Sequence, residues 1–262
     1  MDDLADTALA QAAAALAQAR HVAVLTGAGI SAESGLSTFR GKTADEDSLW
    51  ARYDPAELAT PRAFAADPDK VGRWYDWRRQ ACLAAAPNAG HRALVTLAQE
   101  LEARGGSLRL VTQNVDSLHA RAGSEGVVEL HGSILRWRCT RCGTRVMSDA
   151  APFPAFPVPS PCHPERGLLR PDVVWFGEPL PEAALAAAFR AAARCDLFLA
   201  IGTSAQVYPA ASMIDEAVAR RIPSLEINAE PTPQTRRVRW ALQGKAGELL
   251  PRLLERARSR PG

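Results

Sequence analysis

The sequence carries almost no excess of charge: 31 lysines and arginines stand against 29 aspartates and glutamates in 262 residues, a formal net charge of +2. A field that would gather nucleic acid or an anionic membrane surface is therefore missing, and a small-molecule or peptide partner is favoured. No apolar run approaches the roughly 18 residues that a membrane span needs. The opening residues Met1-Asp2-Asp3-Leu4-Ala5-Asp6 are acidic where a secretory leader would be basic, so a cytoplasmic protein is expected. Cysteine is scarce, and five in a chain of this length are too few for a disulfide framework. Cys82 and Cys195 read as ordinary buried residues. Cys139 and Cys142 instead form a C-x-x-C pair, which in a reducing compartment points to metal or redox use. The sequence has no internal repeat, which sets aside solenoid architectures.

What is present is an alternation of helical and strand-like segments. Residues 3–19 are rich in Ala, Leu and Gln with no breaker, and the β-prone run His21–Thr26 follows directly. Similar apolar runs recur at Leu108–Thr112, Val127–Leu130, Asp196–Ile201 and Ser224–Asn228, separated by helical stretches near 90–103, 182–193 and 206–220. That order predicts an α/β fold, a Rossmann-like doubly wound parallel sheet, assembled from residues 1–40, 89–132 and 171–262. Two segments break the rhythm. Residues 41–88 are helical and aromatic-rich, and residues 133–170 carry three cysteines and a proline-dense run from Pro152 to Pro164. They are expected to form a smaller second domain from a helical insert and a ribbon-like insert.

After the first strand comes Gly27-Ala28-Gly29-Ile30-Ser31-Ala32, a G-x-G-x-x-G/A turn. Missing side chains let such a backbone approach a pyrophosphate, and a helix start can aim N–H groups at it. A hydride-transferring enzyme of this fold also needs an acidic residue about 20 positions on, at the end of a second strand. Here that stretch is Phe39-Arg40-Gly41-Lys42 and a polar loop, so dehydrogenase chemistry is disfavoured.

Further along, Gly27-Ala28-Gly29-Ile30-Ser31-Ala32-Glu33-Ser34-Gly35 with Thr38-Phe39-Arg40 resembles the opening signature of the sirtuins. Thr112-Gln113-Asn114-Val115-Asp116, Glu129-Leu130-His131-Gly132, Val173-Val174-Trp175-Phe176-Gly177-Glu178, Gly202-Thr203-Ser204 and Ile227-Asn228 are similar to sirtuin segments in the same order, from about Leu25 to Pro251. The resemblance implies an NAD-dependent protein-lysine deacylase. The acyl oxygen of a modified lysine attacks C1′ of the nicotinamide ribose and expels nicotinamide, and the products are free lysine and O-acyl-ADP-ribose. By the same resemblance His131 is the base that deprotonates the ribose hydroxyls, a task suited to an imidazole whose ordinary pKa of about 6.5 lies near working pH. Asn114 joins it in catalysis. NAD would be held by Gly27, Ala28, Gly29, Ser31, Glu33, Phe39, Arg40, Gln113, Asn114, Asp116, Gly202, Thr203, Ser204 and Asn228. His91 and His119 read as helix-start or packing residues. Strand residues Val174, Trp175 and Phe176 would pair main chain to main chain with an acyl-lysine peptide. The partners expected are NAD and acyl-lysine proteins or peptides, with no nucleic acid or membrane, for a chain acting as a monomer.

Within Arg73-Trp74-Tyr75-Asp76-Trp77-Arg78-Arg79, a helical reading places Tyr75 and Arg78 on one face. This Tyr-x-x-Arg pair resembles the one in sirtuins that remove succinyl and malonyl groups, and an Arg fork with a phenol hydroxyl can satisfy a buried substrate carboxylate. Sirtuins also carry a structural zinc on two C-x-x-C pairs. Here Cys139 and Cys142 are followed by Cys162-His163-Pro164-Glu165, with Glu165 where the fourth cysteine would stand. Zinc accepts imidazole or carboxylate, so either His163 or Glu165 would complete a tetrahedron; a decayed site held by packing is the other reading. Two rival functions share the nicotinamide chemistry or its ligand, a protein mono-ADP-ribosyltransferase and a catalytically silent NAD or ADP-ribose binding module.

Overall fold

The computed structural model describes residues 2–36, 53–147 and 151–259. Its larger part is a six-stranded sheet in the order β3-β2-β1-β8-β9-β10, parallel throughout. The strands are β1 (His21–Thr26), β2 (Ser107–Thr112), β3 (Val128–Glu129), β8 (Leu197–Ile201), β9 (Ser224–Asn228) and β10 (Trp240–Gln243). β1 and β8 are buried almost end to end, as strands covered by helices on both faces must be, which is why they read as unbroken apolar runs.

One face is covered by α1 (Asp2–Gln18), α6 (Ala89–Ala103) and α10 (Ala246–Arg258), which share an apolar cluster with the sheet. On α1 the buried residues are Leu9, Ala12, Ala13 and Leu16, the i, i+3, i+4, i+7 stripe of an amphipathic helix. The other face carries α8 (Glu182–Arg194) and α9 (Ser212–Ala219). The chain runs outward from β1 to β2 and β3, then returns to the centre at β8 and runs outward the other way. The order reverses between β1 and β8, and the crevice at their carboxyl ends is where open α/β sheets bind ligands.

The second unit contains α3 (Pro55–Leu58), α4 (Pro61–Ala66) and α5 (Pro68–Ala84) together with an antiparallel sheet in the order β5-β4-β7-β6. Its strands are β4 (Gly132–Cys139), β5 (Arg145–Met147), β6 (Pro159–Ser160) and β7 (His163–Val173), so they overrun the 133–170 insert at both ends. α5 starts sharply because the Asp67 side chain accepts the Lys70 N–H and Pro68 occupies the first turn, where its missing donor costs nothing. Residues of both inserts, among them Phe64, Trp74, Tyr75, Ile134 and Trp137, form one shared core with Trp175.

Several sequence-based expectations are corrected. The helix expected over 206–220 begins only at Ser212, after Pro209, whose ring and lost N–H interrupt helical pairing. Val174, Trp175 and Phe176 lie beyond the end of β7 rather than in a strand. β10 and α10 were not anticipated, although the buried Leu250, Leu253 and Leu254 of α10 keep helical spacing. The short α7 (Leu118–Ala122) follows β2. No helix among the described residues is long and apolar enough to cross a membrane.

Candidate active site

The glycine turn leaves β1 at the switch point and is fastened to the loop leaving β8. Gly27 N–H donates to the Ile201 carbonyl at 3.0 Å and Gly29 N–H to the Gly202 carbonyl at 2.8 Å. A Cβ on Gly29 would stand 2.7 Å from Gly202 Cα, and one on Gly27 would stand 2.7 Å from the Gly202 carbonyl oxygen. Gly202 itself adopts φ +59°, a conformation that favours glycine. The close approach of two backbones therefore explains these three glycines without any ligand. Ala28 is half-buried at the head of the short α2 (Gly29–Ala32).

Behind the turn the polar side chains close on one another. Ser31, buried, donates its hydroxyl to Asp116 Oδ2 at 2.7 Å, and Asp116 Oδ1 accepts the Leu118 N–H at 2.8 Å. Asp116 thus starts α7 and holds the glycine turn at once. Burial raises its pKa, while the Leu118 and Ser31 donors oppose that shift. Asn114 Nδ2 donates to the Gly27 carbonyl at 3.1 Å and to Ser31 Oγ at 3.2 Å, which tethers the β2 exit loop to the turn. Gln113 Nε2 donates to Thr203 Oγ1 at 2.9 Å, linking β2 to the β8 exit loop, where Ser204 is half-buried. Asn228, ending β9, donates to the Thr203 carbonyl at 3.4 Å.

His131 follows β3, with Nδ1 2.8 Å from the Gln113 carbonyl oxygen. A carbonyl only accepts, so Nδ1 carries the proton and Nε2 presents its lone pair. Burial lowers the His131 pKa, opposed by the Gln113 carbonyl, so the ring is a free base at neutral pH.

Beneath these residues lies a polar chain whose connection the sequence did not reveal. Thr26 donates to Thr112 Oγ1 at 2.8 Å, and that same oxygen accepts the Asn114 N–H at 3.0 Å. With its proton so used, the Thr26 hydroxyl accepts from His119 Nε2 at 2.9 Å. His91 sits in the capping box of α6 with Asn88, its ring 4.8 Å from that of His119. Burial lowers the pKa of His91 to about 4 and of His119 to about 3, so both are neutral and structural, as expected of helix-start and packing residues. Threonines at strand ends carry no special signal, which is why the chain is invisible without the fold.

Glu33, expected among the NAD ligands, also has a partner within the fold. It is exposed, and its Oε1 accepts the Gly247 N–H at 2.8 Å, at the N-terminus of α10. A carboxylate there offsets the unpaired N–H groups and the positive end of the helix. Phe39 and Arg40 lie outside the described residues.

Tyr75 and Arg78 do share one face of α5. Tyr75 is buried, and its hydroxyl oxygen accepts the Trp175 Nε1–H at 2.9 Å. The half-buried Arg78 guanidinium lies 4.7 Å from the Trp74 ring centroid and 5.9 Å from that of Tyr75. Desolvation drives the Tyr75 pKa up to about 12, with Arg78 pulling the other way. The N–H groups of the neighbouring loop are already engaged: Val174 donates to His131, Phe176 to Ala59 and Trp175 to Glu178 Oε2, each at 2.9 Å. A peptide lying along this loop would have to use its other main-chain groups. Phe176 is 49% exposed.

Cys139, Cys142, Cys162 and His163 bring their four ligand atoms within 4.8 Å of one another, on the β4–β5 turn and the start of β7. Three thiols and an imidazole at this spacing suit tetrahedral zinc, whose bonds of about 2.0–2.3 Å put neighbouring ligand atoms somewhat under 4 Å apart. The Cys142 and Cys162 sulfurs stand 3.3 Å apart, and Cys139 Sγ stands 3.6 Å from His163 Nδ1. Of the two candidates for the fourth ligand, the fold brings in His163 and leaves Glu165 exposed outside the cluster.

Comparison with known proteins places this arrangement among relatives. The Sir2 family matches residues 27–209. NAD-dependent protein deacylase 2 of Pyrobaculum aerophilum is 52% identical over 248 residues, 94% of each chain, and NAD-dependent protein deacylase 1 of Pseudomonas aeruginosa is 48% identical over 92% of this chain and 96% of its own. A solved Sir2 homologue in complex with NAD superposes with a TM-score of 0.84 at 45% identity, covering 95% of this chain and 93% of that one. A Sir2 complex with a p53 peptide and NAD+ has a TM-score of 0.74 at 30% identity, over 92% of this chain and 95% of that one.

Proposed function

The chain belongs to the Sir2 family and is an NAD-dependent protein deacylase, and on that premise we propose that it acts on lysines bearing acidic acyl groups, succinyl or malonyl, with acetyl-lysine also accepted. The observation that carries this reading is the pairing of Tyr75 and Arg78 on one face of α5, with a buried phenol and the guanidinium 5.9 Å from its ring centroid. A carboxylate taken out of water is costly unless charge-assisted hydrogen bonds replace its hydration, and an Arg fork plus a phenol donor supply them.

In this reading NAD lies in the crevice at the carboxyl ends of β1 and β8, with Gly27, Ala28, Gly29, Ser31, Gly202, Thr203, Ser204 and Asn228 along its length. Gln113 and Asn114 serve the nicotinamide ribose. Asn114 spends its amide nitrogen on Gly27 and Ser31, which turns its Oδ1 outward as an acceptor for a ribose hydroxyl. Asp116 accepts from the nicotinamide carboxamide, whose NH₂ would otherwise be left unpaired at about 1–3 kcal/mol. His131 takes a proton from a ribose hydroxyl at Nε2 while Gln113 holds Nδ1–H, so the ring cannot turn its protonated nitrogen toward the substrate. Cys139, Cys142, Cys162 and His163 would hold zinc, which would tie β4, β5 and β7 together and take no part in chemistry. Transfer of ADP-ribose to a protein would give no free lysine, so product masses separate that rival from deacylation.

The test is Arg78→Met assayed on matched succinyl and acetyl peptides with saturating NAD. The succinyl-to-acetyl ratio of kcat/KM is expected to fall by roughly 100-fold, the scale of one buried charge-assisted pair. An equal loss on both peptides would remove the acyl-pocket assignment.

A further inference from the structure

Building on the acidic-acyl reading, we infer that the side chain of Trp175 is a specificity-determining element: its indole N–H fixes the direction of the Tyr75 hydroxyl, so that the phenol proton is offered only to an acyl carboxylate. An indole nitrogen donates and never accepts. At 2.9 Å from Trp175 Nε1, the Tyr75 oxygen is therefore the acceptor, and its own proton must point away from Trp175. Both residues are only 3% exposed, so water does not compete for this geometry. No acceptor for that proton is recorded among the described residues. With its pKa up at about 12, the phenol keeps the proton at every working pH.

Trp175 can impose a direction because it is itself clamped. The Arg170 guanidinium lies over its ring, 3.3 Å from the centroid, and Phe64 packs at 5.3 Å. Arg170 is pinned by Glu178 at 2.6 and 2.9 Å and by the Val173 carbonyl at 2.9 Å. Glu178 Oε2 also accepts the backbone N–H of Trp175 at 2.9 Å, so the indole is fixed at its face and at its main chain. The consequence for selectivity is two-sided. A succinyl or malonyl carboxylate meets a donor already aimed, whereas an acetyl methyl leaves that donor unpaired in a dry pocket, a cost rather than a neutral contact.

The test measures kcat/KM on matched succinyl and acetyl peptides for wild type, Trp175→Phe, Tyr75→Phe, the double variant and Arg78→Met. Phenylalanine keeps an aromatic face for Arg170 and removes only the N–H and one ring. The succinyl-to-acetyl ratio is expected to drop roughly tenfold in Trp175→Phe, and to drop no further in the double variant than in Tyr75→Phe alone. An unchanged ratio, an equal loss on both peptides, or additive effects in the double variant would overturn the role of Trp175. If Trp175→Phe does not fold, 3-benzothienylalanine at position 175 preserves the bicyclic shape without the N–H and is read the same way. The Arg78→Met arm keeps the two questions apart: if it lowers the ratio and Trp175→Phe does not, only the inference about Trp175 fails, and if it too leaves the ratio unchanged, the acidic-acyl reading itself fails.

Discussion

The crevice at the carboxyl ends of β1 and β8 and the smaller unit are built on opposite plans. At the crevice the polar groups satisfy one another: Ser31 with Asp116, Asn114 with Gly27, Gln113 with Thr203, and the His131 ring with the Gln113 carbonyl. Ligand atoms arriving there meet groups already fixed by backbone-to-backbone contact and by short side chains. The smaller unit instead holds a buried phenol that accepts from an indole and four metal-binding atoms gathered within 4.8 Å. The difference teaches how such an enzyme separates its tasks. On the proposed reading, chemistry common to all substrates would rest on a preorganised network, and what distinguishes one substrate from another would rest on a few side chains in a separate core.

The comparison breaks if the crevice is not common to every substrate. His131→Asn removes the Nε2 base and is expected to lower kcat/KM by about 10³-fold on succinyl and acetyl peptides alike, the scale of a general base. A loss confined to one peptide would place His131 in substrate selection. In the wild type, the lowered His131 pKa puts the acid limb of the pH profile below about 6.5, because activity is lost only as falling pH protonates Nε2.

The metal cluster tests the other side. Protein purified without chelator is expected to carry about one zinc per chain. Its removal should lower Tm by roughly 5 °C or more, since binding to the folded state alone stabilises it. Cys162→Ser should then abolish both the metal and the chelator sensitivity. A metal-free native protein of unchanged Tm would count against the site. Gly29→Ala puts a Cβ 2.7 Å from Gly202 Cα, backbone that cannot yield cheaply, and should cost about 1–3 kcal/mol in urea unfolding and weaken NAD binding. The smallest effect expected is Glu33→Gln, which keeps the hydrogen bond to Gly247 and loses the charge at the α10 N-terminus, about 0.5 kcal/mol with little change in the NAD Kd. A large rise in Kd would instead place Glu33 among the NAD ligands.

Much of the larger unit was legible because strands buried on both faces leave apolar runs, and because β1 is followed at once by its glycine turn. The order of the short polar blocks then pointed to the family. What could not be read depends on contacts between residues far apart in sequence. Nothing local says that Glu33 meets α10, that Trp175 donates to Tyr75, or that Thr26 and Thr112 link His119 to Asn114. His163 and Glu165 are both chemically able to complete the metal set, and only the path of the chain into β7 decides which one turns inward. Val174–Phe176 look strand-like because their residue types are β-prone. Their N–H groups instead go to His131, Glu178 and Ala59, which ends the ladder.

The attachment of Glu33 to α10 also has a consequence in time. Glu33 and Gly247 are separated by 214 residues, Gln11 and Trp240 by 229, and Asp6 and Arg256 by 250, yet each pair is hydrogen-bonded. On a ribosome the glycine turn emerges among the earliest segments of the larger unit and its last supports among the latest. The larger unit therefore cannot complete itself until α10 has been made. It must wait for α10, and folding governed by such distant closures is slow, with the apolar face of α1 exposed meanwhile to whatever else the cell offers.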